Sequence, residues 1–169
     1  MSERELRESI AIHGRSLFDR GLTFGSSGNI SVRLPDGMLI TPTNTCLGRL
    51  DPDRISRLSE NGELLAGDKP SKEVVLHQAV FEARPQDHSI VHLHSTHSVA
   101  VSCLTDVDAA DVLPPITPYY VMRVGKLPLV PYFPPGDEDL ASAVQTYAEQ
   151  SRAVLLANHG PVVAIATDI

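Results

Sequence analysis

One stretch constrains this chain more than any other: residues 89–97, Ser-Ile-Val-His-Leu-His-Ser-Thr-His. Ile90, Val91 and Leu93 mark it as a strand, and in a strand residues i and i+2 face the same way. His92 and His94 are therefore expected to project together, about 6 to 7 Å apart along the backbone. Two imidazoles side by side on rigid backbone make half of a metal site. The other reading is a pair of core or surface histidines, each needing partners for two ring nitrogens. If the metal reading is right, the rest of the chain must supply a third ligand, a reactive carboxylate and a substrate cradle.

Composition narrows the partners. The chain has 169 residues, of which 42% are hydrophobic and 21% charged, enough to build one soluble domain with a sizeable core. A formal charge of −7 and the absence of Trp argue against nucleic acid. A small phosphorylated substrate is still compatible, because it responds to local donors rather than to net charge. No apolar run is long enough to span a membrane and no signal peptide is evident, so a cytoplasmic protein is expected. Cys46 and Cys103 lack CxxC spacing and are expected as free thiols.

The local patterns follow in order. Ser2 and Glu5 form a capping box for a helix with Leu6, Ile10, His13 and Leu17 on one face, stopped by Gly21. His13 is expected to be structural. A Gly-Ser-Ser-Gly-Asn loop at 25–29 precedes a hairpin over 29–41, turned at Pro35-Asp36-Gly37. A polar turn at 41–45 could return beside that loop. Asp51-Pro52 opens a short helical turn, and Asn61-Gly62 sits between the runs 55–58 and 63–65 as in a tight hairpin. An amphipathic helix follows Ser71, its expected N-cap, and ends before Pro85; Glu73 sits in its first turn, with His77 in core or interface. Residues 98–104 read as a short buried helix, with His97 at its start or near a metal. Residues 106–136 are Pro-rich and read as an ordered, irregular excursion with short strands. A helix from Asp137 to about Gln150 precedes two strands, 153–157 and 162–165, with His159 at the turn between them.

These pieces make a set: Glu73 at a helix start, His92 and His94 on a strand, and His159 at a strand end. Three His ligands with one position open describe a catalytic zinc site, whereas a closed structural site would use cysteines. Taken alone, Glu73 also has the reading of an ordinary acid favoured by the helix dipole.

The chain resembles the class II aldolase/adducin family, which includes sugar-phosphate aldolases and 4-epimerases. Gly-Asn-Ile-Ser at 28–31, Thr-Pro-Thr at 41–43, Ser-Lys-Glu at 71–73, His-Leu-His at 92–94 and Asn-His-Gly at 158–160 carry the resemblance. It implies a three-layer α/β/α fold with a central, largely antiparallel sheet, a single domain over 1–169, and a homotetramer. It implies Zn2+ or another divalent transition metal held by His92, His94 and His159, with Glu73 as the catalytic carboxylate that also touches the metal. It places the substrate phosphate at Gly28, Asn29, Thr43, Asn44, Ser71 and Lys72. Asn44 stands where glycine is common, and Lys72 replaces a second serine. Tyr120 is a possible additional residue, with Tyr119 beside it.

The wording at 67–73, 92–102 and 113–122 is closest to the branch that decarboxylates 3-oxo-tetronate 4-phosphates, phosphorylated four-carbon sugar acids. That implies release of CO2, a zinc-stabilised enediolate, and dihydroxyacetone phosphate as product. The alternatives are a sugar-phosphate aldolase or 4-epimerase on the same site, or a non-catalytic adducin-like module. Family members continue beyond the third histidine strand with a further helix, so the resemblance implies a domain lacking that helix, with 165–169 unlike the usual continuation.

Overall fold

The computed structural model describes residues 1–134 and 136–167. The capping box forms as expected: the Ser2 N–H donates to Glu5 Oε2 (2.7 Å) and the Glu5 N–H to Ser2 Oγ (3.3 Å). It opens helix α1, Glu3–Asp19, which buries Leu6, Ile10 and Gly14. His13 does not share that face. It is exposed and bonds back to Ser9, because the narrow buried stripe runs through Gly14 instead.

The hairpin of β1 (Asn29–Leu34) and β2 (Gly37–Ile40) also forms, and Asp51 caps a 3-10 turn, Pro52–Arg54. Strands β3 (Ser56–Ser59) and β4 (Leu64–Ala66) pair through a loop longer than a two-residue turn. The Ser59 N–H reaches the Glu63 carbonyl, and Gly62 takes φ 80°.

Helix α2, Val74–Ala83, begins later than an N-cap at Ser71 would place it. Ser71 Oγ instead accepts from the Glu73 N–H (3.3 Å) in a turn leading into the helix. Strand β5, Ser89–His92, ends earlier than expected, so His94 lies just past it. Helix α3, Thr96–Ser102, starts earlier than expected and buries only Ser102; its His97 is exposed and outside the ligand cluster.

In the Pro-rich segment, Thr117 and Pro118 start a helix, α4 (Pro118–Arg123), where short strands were expected. Thr117 Oγ1 accepts the Tyr120 N–H, and proline suits the first helical position. Among the described residues there, only β6, Leu129–Val130, is strand. Helix α5 (Glu138–Ala148, capped by Asp137) and strands β7 (Ala153–Leu156) and β8 (Gly160–Ile165) agree with the expectation.

The eight strands among the described residues make one sheet in the order β4-β3-β2-β1-β5-β8-β7-β6, antiparallel except for β6 on β7. Its two faces carry different cores. Ile30, Val32 and Leu39 pack against α1 with Leu6, Ile10 and Leu47. Ile40, Leu58, Ile90, Leu156 and Val162 pack against α2 and α5 through Leu76, Val80, Leu140 and Val144. This is the expected three-layer arrangement. The period-2 alternation of β1 then puts Asn29 and Ser31 on the face opposite Ile30 and Val32, toward α2. Cys46 and Cys103 are free thiols. Among the described residues no helix is long and apolar enough to cross a membrane. The unusual terminal run at 165–169 is described only as far as residue 167.

Candidate metal centre

Three loops bring the four expected ligands together at one end of the sheet. Glu73 arrives from the turn before α2. His92 closes β5, directly opposite Asn29 of β1. His94 follows two residues later, and His159 comes from the turn joining β7 to β8. The Asn-His-Gly motif has a local reason. Asn158 takes the left-handed conformation, φ 56°, which Asn tolerates better than most residues. Gly160 lets β8 pass close to the neighbouring backbone, since a Cβ there would lie 2.2 Å from the Leu93 carbonyl oxygen. That close approach sets His159 beside His94.

The three imidazoles pack as a propeller, with ring centroids 4.7–4.9 Å apart and planes inclined by 69–79°. One donor atom from each histidine and from Glu73 lies within 4.8 Å of all the others. The Nε2 atoms of His92 and His94 are 3.0 Å apart. Glu73 Oε2 is 3.5 Å from His92 Nε2, and Oε1 is 3.6 Å from His159 Nε2. A tetrahedral shell with ~2.1 Å bonds sets donors roughly 3.4 Å apart, so the cluster has metal-site dimensions.

Two further observations fit a cation. His92 donates Nδ1–H to the Pro161 carbonyl (2.9 Å), which leaves its Nε2 lone pair facing the cluster. Glu73 Oε1 is buried and has no hydrogen-bond partner. An orphaned carboxylate oxygen among imidazole nitrogens is costly unless a cation completes the set. His92 is fully buried and Glu73 is 7% exposed, whereas His94 and His159 are half-buried, so the cluster faces solvent on their side.

Burial pushes the pKa values of His92, His94 and His159 below the ordinary imidazole value, with the neighbouring imidazoles acting in the same direction. The nearby Glu73 carboxylate opposes this shift but does not cancel it, and a lowered pKa favours the neutral imidazole, the form that can ligate a metal. For Glu73, burial alone would raise the pKa. His92, the Asn29 amide, His159 and His77 outweigh it and hold the carboxyl below its usual range. The imidazoles exert that pull only while charged; the Asn29 hydrogen bond acts at any pH.

His77, open between core and interface in the sequence, is wholly buried in the core. Its Nδ1 meets Ser31 Oγ (2.6 Å) and its Nε2 meets Asn29 Oδ1 (2.5 Å). The Asn29 amide in turn donates Nδ2–H to Glu73 Oε2 (2.7 Å). The Asn29 side chain is therefore committed at both ends, which leaves only its backbone for a phosphate. Ser31 and His77 were not anticipated as neighbours of the site. The polarity of His77 at an apolar-periodic position of α2 was the one available signal; Ser31 falls in the polar register of β1.

Burial lowers the His77 pKa to about 3. An imidazole depressed on folding is protonated preferentially in the unfolded chain, so its contribution is fully favourable above pH 6.5 and is lost as pH falls from there toward 3. Between pH 7.5 and 5.5 His77 alone should cost the folded state roughly 1 kcal/mol. Urea unfolding of chelated protein at the two pH values checks this, and H77Q should reduce the difference by about that amount, leaving the part due to the other buried histidines.

The turns expected to cradle a phosphate meet at the same end. The Thr41 N–H and Oγ1 pair with Ile30, Thr43 N–H reaches the Lys69 carbonyl, and Ser71 N–H reaches that of Thr41. Gly28 has φ 79° and abuts the His92 carbonyl, where a Cβ would sit 2.8 Å away. Asn44 takes φ 57°, the left-handed conformation glycine would otherwise supply. Lys72 is exposed. Tyr120 points elsewhere: its hydroxyl donates to Asp111 (3.5 Å), and burial with that carboxylate raises its pKa. Tyr119 is 77% exposed.

A cluster of three histidines and a glutamate that could hold a metal ion thus lies at the end of a largely antiparallel sheet. The chain belongs to the class II aldolase/adducin family, whose model, the class II aldolase and adducin N-terminal domain, matches residues 8–167. It is 52% identical over 162 residues to a 3-oxo-tetronate 4-phosphate decarboxylase of Escherichia coli strain K12, an alignment covering 95% of this chain and 76% of that one. It is 36% identical over 163 residues to the L-fuculose phosphate aldolase of Haemophilus influenzae, covering 95% and 72%. Among solved structures it is similar to YgbL, described as a putative aldolase/epimerase/decarboxylase from Escherichia coli. That likeness has a TM-score of 0.95 at 48% identity and covers 99% of this chain and 81% of the other.

Proposed function

We propose that this chain is a carboxy-lyase that converts 3-oxo-tetronate 4-phosphate into dihydroxyacetone phosphate and CO2, with zinc as its metal. The observation that carries the reading is the convergence of Glu73, His92, His94 and His159 within 4.8 Å. The relatives named for this decarboxylation support the choice of reaction, at about half the residues identical. An inert adducin-like module has no need of four intact donors built around an orphaned carboxylate oxygen.

Bound by the three imidazoles and Glu73, a divalent ion supplies Lewis-acid polarisation of the ketone oxygen. The rest falls to the chain. The bond from C1 to C2 breaks, its electron pair moves toward the C3 ketone oxygen, and CO2 departs. One proton from water must then be delivered to C2, and we assign Glu73 to carry it. Gly28, the Asn29 backbone, Thr43, Asn44, Ser71 and Lys72 are assigned to the phosphate, where the left-handed turns at Gly28 and Asn44 present backbone to an anion. Anchoring the phosphate aligns the bond that breaks. We assign a homo-oligomer as the working form. The exposed apolar residues Ile116, Tyr119, Val121 and Met122 on and beside α4 support it.

Incubation of zinc-loaded protein with 3-oxo-tetronate 4-phosphates of both configurations tests the reading. The expected result is CO2 and dihydroxyacetone phosphate in equal amounts from one of them. Aldehyde release from a sugar 1-phosphate, with no CO2 from either acid, would move the assignment to an aldolase.

A further inference from the structure

Behind Glu73, away from the three ligand imidazoles, the core holds three polar side chains that the reaction does not touch. Asn29, Ser31 and His77 are 5%, 0% and 0% exposed. Burying such groups is unfavourable unless each is paired, and among the described residues these side chains pair with one another and with Glu73. Two periodicities match to make this possible. Glu73 and His77 are four residues apart at the start of α2, a rise of about 6 Å. Asn29 and Ser31 are two apart on β1, a rise of about 6.8 Å. One helix face therefore lies in register with one strand face.

The direction of every hydrogen bond in this chain follows by elimination. The Glu73 carboxylate can only accept, so Asn29 must turn its NH2 group toward it. Asn29 Oδ1 then faces His77 Nε2 and needs a donor there. His77 must carry its proton on Nε2, which leaves Nδ1 to accept from the Ser31 hydroxyl. The opposite tautomer would reverse the chain. With the proton on Nδ1, Nε2 would be an acceptor, Asn29 would turn its NH2 toward His77, and its oxygen would face and repel the carboxylate.

We infer that His77, held by Ser31 as the Nε2–H tautomer, is a positioning residue that fixes the Asn29 amide and through it the Glu73 carboxylate. The catalytic consequence rests on the role of Glu73 proposed above; the tautomer and the amide orientation do not. Burial keeps the ring neutral, in agreement with this arrangement.

The test has a spectroscopic arm and a kinetic arm. In full-length protein with 15N-labelled histidine, the imidazole nitrogens of His77 at pH 7.5 should report a neutral Nε2–H ring, both chelated and zinc-loaded. A proton on Nδ1, or an imidazolium, would overturn the inference whatever the substrate proves to be. In the kinetic arm, H77L removes the donor and H77Q restores one, because a glutamine amide nitrogen can reach the place of Nε2. H77L should lower kcat roughly 10- to 100-fold with KM nearly unchanged, and H77Q should recover most of the loss. Equal losses in both variants, or none in either, would mean that His77 only packs the core. If no variant or parent turns over the substrate, the proposed function fails while the nitrogen shifts still decide the tautomer.

Discussion

His94→Ala is expected to strip the protein of its metal and of its activity together. His94 contributes one of three imidazole nitrogens and stands 3.0 Å from His92 Nε2 at the solvent side of the cluster. Its removal leaves His92, His159 and Glu73, and a three-donor site with one position opened to water holds zinc far less firmly. Because His94 lies past the end of β5 and is half-buried, no packed apolar core is lost, and the fold should survive. Lewis-acid assistance contributes several kcal/mol, so turnover should fall on the order of a thousandfold or more. Metal analysis of protein purified without chelator, beside a far-ultraviolet spectrum, checks both halves. Stoichiometric zinc in the variant would remove His94 from the ligand set.

Glu73→Gln should separate binding from chemistry. The side chain keeps its volume, and its amide oxygen can still accept the Asn29 N–H that now reaches Oε2 at 2.7 Å. The new NH2 group then occupies the place of Oε1, the orphaned oxygen that faces His159. Zinc should stay on the three imidazoles and the phosphate turns should be undisturbed, so KM should change little. What disappears is the proposed proton carrier, and losses of such groups cost roughly 10²- to 10⁴-fold in kcat. Isothermal titration with dihydroxyacetone phosphate beside steady-state CO2 release would measure the two effects. Turnover near the parent rate would show that another group delivers the proton to C2.

Both expectations use residues that the sequence already displayed. His-Leu-His, Asn-His-Gly and the acid after Ser71-Lys72 are short motifs whose residue types carry their chemistry with them. The capping box at Ser2 and the hairpin turn at Pro35-Asp36-Gly37 were legible for the same reason, since each is closed by bonds among neighbours. Errors clustered where a local signal was weak. His13 falls at helical spacing with the apolar residues, yet Gly14 takes the buried place against the Leu47 carbonyl. The helix at Pro118–Arg123 was hidden in a proline-rich run, although Thr117-Pro118 is a helix start.

The sequence by itself pointed to the candidate ligands, the layered fold class and the family, because short motifs such as His-Leu-His and Asn-His-Gly carry the family resemblance. Only the tertiary structure decided what Asn29 does. Read along the chain, it belongs to a Gly-Asn loop suited to a phosphate. Folded, its amide is held between Glu73 and His77, 44 and 48 residues away. That pairing depends on how α2 docks across β1, and no local pattern encodes the register of one element on another. The same docking gives Glu73 its fixed direction and His77 a single tautomer.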